Sequence, residues 1–213
     1  MSPAARWTAM AVATLIAAVT LSIAVALDDV LPGEARVLRE IQSWDWLGGA
    51  FADTVRFVTT TQVVVISGIA VAVALWLLGE RRAAVTLAIA LALLEIAQPS
   101  IKEIVDRPRP SAGLVEIRGS ITSPSFPSGH VMSPTVLYGV LATLAMKRGA
   151  WSSALRATIV VFSALLLLAT ALVNLYLGVH WPTDVIGGWL WGAVVGCAAF
   201  AIARWLPLED RPR

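Results

Sequence analysis

Six long apolar runs constrain this chain more than any other feature. They fall at about 7–27, 61–79, 83–101, 130–146, 153–177 and 183–206. A helix needs about 20 apolar residues to cross the hydrocarbon of a bilayer, where lipid offers the backbone no hydrogen-bond partner. Of the residues, 58% are hydrophobic and 14% charged, where soluble domains carry about 45–50% and about 25%. The expected fold is all-α: a polytopic membrane protein with six transmembrane helices in one bundle. Residues 1–213 are read as one membrane-embedded domain. A cleaved signal peptide has an apolar core of only about 7–15 residues, so the run 7–27 is read as a retained helix. A net charge of +2 does not argue for nucleic acid as a partner. The single cysteine, Cys197, permits no disulfide within the chain and is read as a packing residue.

Residues 28–60 break the pattern. Asp28, Asp29, Glu34, Arg36, Arg39, Glu40, Asp45, Asp53 and Arg56 interleave with Leu38, Ile41, Leu47 and Val55. This spacing predicts short amphipathic helices after the first span, broken at Gly48-Gly49. Trp44 and Trp46 suit the headgroup zone, which favours an interfacial element over a solvated loop. Six spans put both termini on one side. The short segments there hold Arg6, Arg81, Arg82, Lys147, Arg148, Arg156, Arg204, Arg211 and Arg213. Basic short loops mark the cytoplasmic face. The opposite face carries residues 28–60, the polar loop 102–129 and the turn at His180. Lys102, Arg107, Arg109 and Arg118 run against the charge rule on that face, which asks for a task of their own.

Three blocks on this outer face carry candidate chemistry: 102–110, 127–130 and 174–184. In the first, Lys102 and Arg109 bring two cations together. They repel unless an anion lies between them, and Arg offers a fork of donors matched to phosphate oxygens. A basic cluster against lipid headgroups is the alternative. In the second, Pro127-Ser128-Gly129-His130, Ser128 suits an N-cap and Gly129 admits a close ligand. Unpaired N–H groups at a helix start attract anions. The alternative is a plain cap with a hydrogen-bonded His130. In the third, His180 and Asp184 are four residues apart, and Pro182 suits a first helical turn. Asp184 accepting the Nδ1 proton of His180 leaves Nε2 as base and nucleophile. A purely structural His–Asp bond is the alternative. Only His180 has an acid at orienting spacing, so His130 is the better general acid. Two histidines and one acid also approach a metal-ligand set, but Lys102 and Arg109 would set positive charge against a cation. No metal is expected.

Together the three blocks resemble the type 2 phosphatidic acid phosphatase superfamily, whose membrane branch has six spans and an extracytoplasmic or lumenal site. The family's first block is Lys, six residues, Arg-Pro, and it matches Lys102 through Arg109-Pro110. Its second, Pro-Ser-Gly-His, matches Pro127 to His130. Its third is Ser-Arg, five residues, His, three residues, Asp, and it matches at His180 and Asp184. The Ser-Arg positions fall on Val173 and Asn174. The resemblance implies that His180 attacks phosphorus to form a phosphohistidine and that Asp184 orients it. It implies that His130 protonates the leaving oxygen and then activates water. Lys102, Arg109 and the amides of Ser128 and Gly129 would hold the phosphoryl oxygens, with no metal or cofactor. The family's arginine clamps phosphate; Asn174 donates amide hydrogen bonds but has no charge. Loss of one such donor costs about 10²–10³ in rate. Arg107 and Arg118 are the candidates to replace it.

The expected function is hydrolysis of a phosphomonoester or diphosphate on a membrane lipid. Candidates are a polyprenyl phosphate or diphosphate, phosphatidic acid, phosphatidylglycerol phosphate and diacylglycerol pyrophosphate, with a lean to the polyprenyl class on family grounds. The partners are the lipid substrate and the bilayer. The expected location is a bacterial cytoplasmic membrane, termini inside and site outside. The change at Asn174 keeps two alternatives open: a lipid-phosphate binder or transporter with little or no catalysis, and a lipid phosphotransferase.

Overall fold

The computed structural model describes residues 3–147 and 151–207, with side chains from Trp7 onward. Within these the chain is helical and contains no strand. The helices are α1 (Pro3–Leu27), α2 (Glu34–Gln42), α3 (Gly49–Val58), α4 (Thr61–Leu77), α5 (Arg81–Val105), α6 (Gly129–Lys147), α7 (Ser153–Tyr176) and α8 (Pro182–Ala203). A 3-10 turn at Asp45–Leu47 joins α2 to α3. The amphipathic segment after the first span and its break at Gly48-Gly49 are as the spacing predicts.

Among the described residues, α1, α5, α6, α7 and α8 are each long and apolar enough to cross a bilayer. The expected sixth span is α4, with 17 residues. At 1.5 Å per residue it covers about 25 Å of a core about 30 Å thick. It reaches span length only together with α3, from which it bends by 54°. The third span runs further than expected. Helix α5 continues to Val105, which puts Lys102 on its last turn instead of in the following loop. It stops where Asp106 turns left-handed, with φ 44, and where Arg107 precedes Pro108. A residue before proline avoids the helical region.

Within lipid, helices associate through close fit, since expulsion of water no longer distinguishes one apolar surface from another. Met10, Ile16 and Ile23 of α1 accordingly stay more than half exposed, as a lipid-facing surface would. The centre of the bundle is α8, which packs on α6, α5 and α1. Gly188 and Gly192 make the α6–α8 contact. A Cβ on Gly188 would stand 2.9 Å from Val131 Cβ and 3.0 Å from the Ser128 carbonyl oxygen. One on Gly192 would stand 2.7 Å from Thr135 Cβ. Without side chains there, the two backbones close up. One apolar cluster joins α4, α5, α6 and α8 through Val64, Leu87, Leu94, Met132, Leu137 and Val195. A second lies under the interfacial helices and joins Leu38, Leu47, Ala52, Val131, Val173 and Trp181.

The helix ends sort by charge. Arg82, at the start of α5, donates to the Ala203 carbonyl at the end of α8 over 3.0 Å. Lys147, at the end of α6, sits 5.2 Å from the Trp7 ring and 4.5 Å from the Phe200 ring. The basic residues expected on one face therefore share one end of the bundle. The Arg6 side chain, Arg148, Arg211 and Arg213 of that set lie outside the described residues. The other end holds α2, α3, the loop 106–128 and the turn between α7 and α8.

Candidate active site

The three sequence blocks meet at that second end. The last turn of α5 brings Lys102, the loop after it brings Arg109, the first turn of α6 brings His130, and the α7–α8 turn brings His180. Prolines sit inside both helices that face the site. Pro134 of α6 has no N–H for the carbonyl of His130, four residues before it, and Pro99 of α5 leaves that of Glu95.

His180 lies between an acid and a cation. Its Nδ1 is 3.4 Å from Asp184 Oδ2 and its Nε2 is 3.4 Å from Arg109 Nη1. A guanidinium only donates and a carboxylate only accepts. The partners thus place the proton on Nδ1 and the lone pair on Nε2. Burial pushes the His180 imidazolium down to about 4, with the Asp184 hydrogen bond and charge opposing that shift. At neutral pH the ring is uncharged and its free nitrogen faces the cations.

Asp184 is held from all sides. Oδ1 accepts from Arg107 Nη1 at 2.6 Å. Oδ2 accepts from the Trp181 N–H at 2.7 Å and from the Ser125 hydroxyl. The Trp181 bond closes the first turn of α8, where Pro182 occupies a position that needs no N–H. One residue thus caps the helix and orients the histidine.

Lys102 and Arg109 converge on one backbone carbonyl. Lys102 Nζ donates to the Pro124 oxygen at 2.6 Å and Arg109 Nη2 to the same oxygen at 3.2 Å. Arg109 Nε also donates to the Ser123 carbonyl at 2.7 Å, and Nη1 donates to the Val179 carbonyl. Burial pushes the Arg109 guanidinium down to about 10, with Asp184 opposing and Arg56 adding to the shift. It stays charged at neutral pH.

Four of the expected donors are engaged elsewhere. Arg107 is not free to replace a missing phosphate donor, because it is 1% exposed and fully engaged. Its Nε donates to the Asp29 carbonyl at 3.0 Å, Nη1 to Thr183 Oγ1 at 2.8 Å and to Asp184, and Nη2 to Glu34 Oε2 at 2.6 Å. Arg118 is held at the rim by Glu116 at 2.7 Å and lies 4.2 Å from the Tyr176 ring. Asn174 is fully buried and donates one amide N–H to the Thr170 carbonyl of its own helix at 2.8 Å. The Ser128 amide donates to the Asp184 carbonyl at 3.0 Å, so it is not available to a phosphate. Ser128 Oγ is buried without a hydrogen-bond partner. The first-turn amides of Gly129 and His130 lack an intrahelical acceptor, as at any helix start.

Gly129 lets the end of the Gln98 side chain come close, since a Cβ there would lie 2.5 Å from Gln98 Nε2. Gln98 Oε1 in turn accepts from Ser133 Oγ at 2.9 Å, and Ser133 meets Thr61 Oγ1 at 2.9 Å. This polar chain ties α4, α5 and α6 beneath the site. His130 is the more accessible histidine, half-buried where His180 is 1% exposed. The ionisable groups close enough to act on it are Arg56, His180, Arg109 and Lys102.

Sequence reasoning missed Glu34 and Ser125. Glu34 Oε1 accepts from the Thr183 N–H at 3.2 Å while Oε2 holds Arg107, so α2 braces the start of α8. Its signal was faint: one acid among several in an amphipathic stretch. Ser125 stands inside SPSFPSGH, two residues before the motif, and read as loop. Among the described residues no three His, Cys, Asp or Glu side chains gather as a metal-ligand group.

Residues 83–207 match the PAP2 superfamily. A curated relative, phosphatidylglycerophosphatase B of Bacillus subtilis, is 30% identical over 95 residues, which is 45% of this chain and 45% of that protein. The match thus spans under half of the relative's length. The fold is similar to the crystal structure of a transmembrane PAP2-type phosphatidylglycerolphosphate phosphatase from Bacillus subtilis. The TM-score is 0.72 at 17% identity, covering 91% of this chain and 94% of that one. It is also similar to Aquifex aeolicus LpxE, with TM-score 0.61 at 19% identity over 82% of this chain and 98% of that one.

Proposed function

The chain belongs to the PAP2 superfamily, and from that premise we propose that it hydrolyses a phosphate or diphosphate ester of a membrane lipid at the extracytoplasmic face. The observation that carries the reading is the setting of His180, with Asp184 on Nδ1 and Arg109 beside Nε2. A neutral, oriented imidazole next to a cation is prepared to attack a phosphorus atom whose oxygens that cation holds.

In the first step His180 Nε2 attacks phosphorus. The P–N bond forms and the P–O bond to the lipid breaks. His130 gives its proton to the departing oxygen, and Asp184 stabilises the cationic ring. Lys102, Arg109 and the first-turn amide of Gly129 hold the three phosphoryl oxygens. In the second step His130 takes a proton from water, the water oxygen bonds to phosphorus, and the P–N bond breaks. Inorganic phosphate leaves and His180 is neutral again. The cations supply the charge stabilisation, so the reaction as proposed uses no metal.

The interfacial helices support a lipid substrate. Trp46 is 64% exposed beside Phe51, and exposed aromatics of this kind settle at headgroup depth. A bacterial cytoplasmic membrane fits, with the basic end inside. Polyprenyl phosphates and diphosphates, phosphatidic acid and phosphatidylglycerol phosphate all present the required head. The catalytic unit extends N-terminal to the matched segment, because Glu34 of α2 braces Arg107 and α8. The test is phosphate release from a panel of these lipids by purified protein in EDTA. Wild type should release phosphate and His180→Ala should not; equal release by both would sink the proposal. The side chain of Asn174, turned onto its own helix, favours a second reading, a binder without turnover. The same panel, run with lipid-binding measurements and an added acceptor alcohol, separates hydrolysis from binding and from phosphotransfer.

A further inference from the structure

We propose that Arg56, on α3, is the third cation of the phosphate pocket, contacting the phosphoryl oxygens directly. The inference rests on the phosphatase reading and adds a residue that none of the three blocks contains.

At this end of the bundle Arg56, Arg107, Arg109 and Arg118 lie around the turn that carries His180. Arg107 has its donors spent on two carboxylates, a hydroxyl and a carbonyl. Arg118 is paired with Glu116 at the rim. Arg109 is tied to the loop carbonyls and His180. The Arg56 guanidinium makes no hydrogen bond and no ion pair among the described residues, although the side chain is half-buried. Asp53, one turn earlier on α3, is the acid that acts on it, from beyond ion-pair distance.

Its position is fixed by the glycine opposite. A Cβ on Gly119 would lie 3.2 Å from Arg56 Nη1, 2.9 Å from Val179 Cγ1 and 3.8 Å from Leu177 Cβ. The guanidinium and the Val179 side chain therefore share the space beside Gly119, next to the segment that leads into His180. The Val179 carbonyl on that segment is an acceptor for Arg109. The Arg118 N–H bonds the Leu177 carbonyl at 2.9 Å, which holds Gly119 against the same stretch. Arg56 also acts through space on both Arg109 and His130.

An unpaired guanidinium beside a second guanidinium and an ammonium raises the energy of a partly dehydrated site. A dianionic phosphate among Lys102, Arg109 and Arg56 attracts all three cations and so offsets their mutual repulsion. Arg56 also restores the charge that Asn174 lacks, from a different helix. Its planar fork suits phosphate oxygens as a lysine would not.

The experiment compares wild type, Arg56→Gln and Arg56→Lys in detergent. It measures kcat and KM for lipid phosphate release, the dissociation constant of orthovanadate (a trigonal-bipyramidal phosphate mimic), and the thermal midpoint. Arg56→Gln is expected to lower kcat/KM about 10²–10³-fold and to weaken vanadate binding at least tenfold. The midpoint should hold, and Arg56→Lys should recover part of both losses. Activity and vanadate affinity within twofold of wild type for Arg56→Gln would overturn the proposal. So would an equal loss in both variants that follows the midpoint. If wild type releases no phosphate from any lipid, the phosphatase reading fails by itself. The vanadate constants then still decide whether Arg56 binds the anion.

Discussion

Arg107 grips Asp184 with Nη1 at 2.6 Å from Oδ1 while Nη2 lies 2.6 Å from Glu34 Oε2, and no part of the Arg107 or Asp184 side chain reaches solvent. A buried cation between two acids is fully compensated, and the carboxylate that orients His180 cannot turn away. Two charges taken out of water repay their cost only with such complete pairing. The arrangement gives the site stiffness and links it to α2.

Removing one acid from that network should therefore destabilise the fold and the site together. Losing one partner of a buried pair costs about 3–5 kcal/mol. Glu34→Ala leaves Arg107 still paired with Asp184, so a loss near the lower end is expected. The thermal midpoint in detergent should drop, and phosphate release should fall with it although Glu34 touches no substrate. Glu34→Gln, which keeps an oxygen for Thr183, should lie between. A Glu34→Ala protein with wild-type midpoint and rate would show that α2 is dispensable.

The acid limb of activity should lie low. Ordinary histidine titrates near pH 6.5, and burial pushes His180 down to about 4. Above that value Nε2 keeps its lone pair; below it the ring is protonated and cannot attack. The limb of kcat/KM that reports His180 is thus expected near pH 4. A phosphate monoester adds its own ionisation near pH 6, so the profile should be taken with a monophosphate and a diphosphate lipid. A limb between pH 6 and 7 for both substrates would contradict the buried setting. Stability follows the same sign. Between about 6.5 and about 4 the unfolded chain binds the proton and the folded one does not, so stability falls as pH falls.

Asp184→Asn should hurt rate more than binding. An amide nitrogen would confront Arg107, Ser125 or the Trp181 N–H, and His180 would lose the acceptor that sets its tautomer. Comparable substitutions in histidine–aspartate pairs cost about 10⁴ in kcat. Ser125→Ala removes one donor of the four, and about ten- to a hundredfold is expected. Single-turnover phosphate release with KM measured separately checks both. A larger fall for Ser125→Ala than for Asp184→Asn would reverse the assignment of roles.

The parts of this architecture that were legible in the sequence are those encoded locally. Apolar runs report spans because lipid satisfies no backbone group. Lys102, Arg109, His130, His180 and Asp184 stand in short blocks of distinctive chemistry. The rest depends on neighbours remote in sequence. Arg107 and Arg109 are two residues apart on one Pro-rich loop, yet one points into Glu34 and Asp184 and the other at His180. Alternation alone does not say which is which. The Ser128 amide looks free beside a helix start until the Asp184 carbonyl arrives from α8. Arg56 carries no signature at all; its nearness to Gly119 and Val179 exists only once α3 has folded against α7. Helix α5 outlasts its apolar run because Lys102 and Glu103 end the hydrophobic pattern while leaving helix propensity intact.

The distance between the two histidines should depend on a glycine more than a turn below them. His130 opens α6 and His180 precedes α8, so the spacing of those helices sets the width of the site. Gly192 faces Thr135, where an added Cβ would stand only 2.7 Å from the Thr135 Cβ. Gly192→Leu must push α6 outward or tilt it, and overpacking of this kind costs about 1–3 kcal/mol. Misplacing reacting groups by about 1 Å costs about 10²-fold in rate. The expected outcome is a folded protein with a lowered thermal midpoint, vanadate affinity changed little, and kcat down by about two orders of magnitude. Thr135→Gly in the same chain removes the clashing Cβ and should return part of the rate. If Gly192→Leu keeps full kcat, or if Thr135→Gly returns none of the loss, the α6–α8 contact does not set the site.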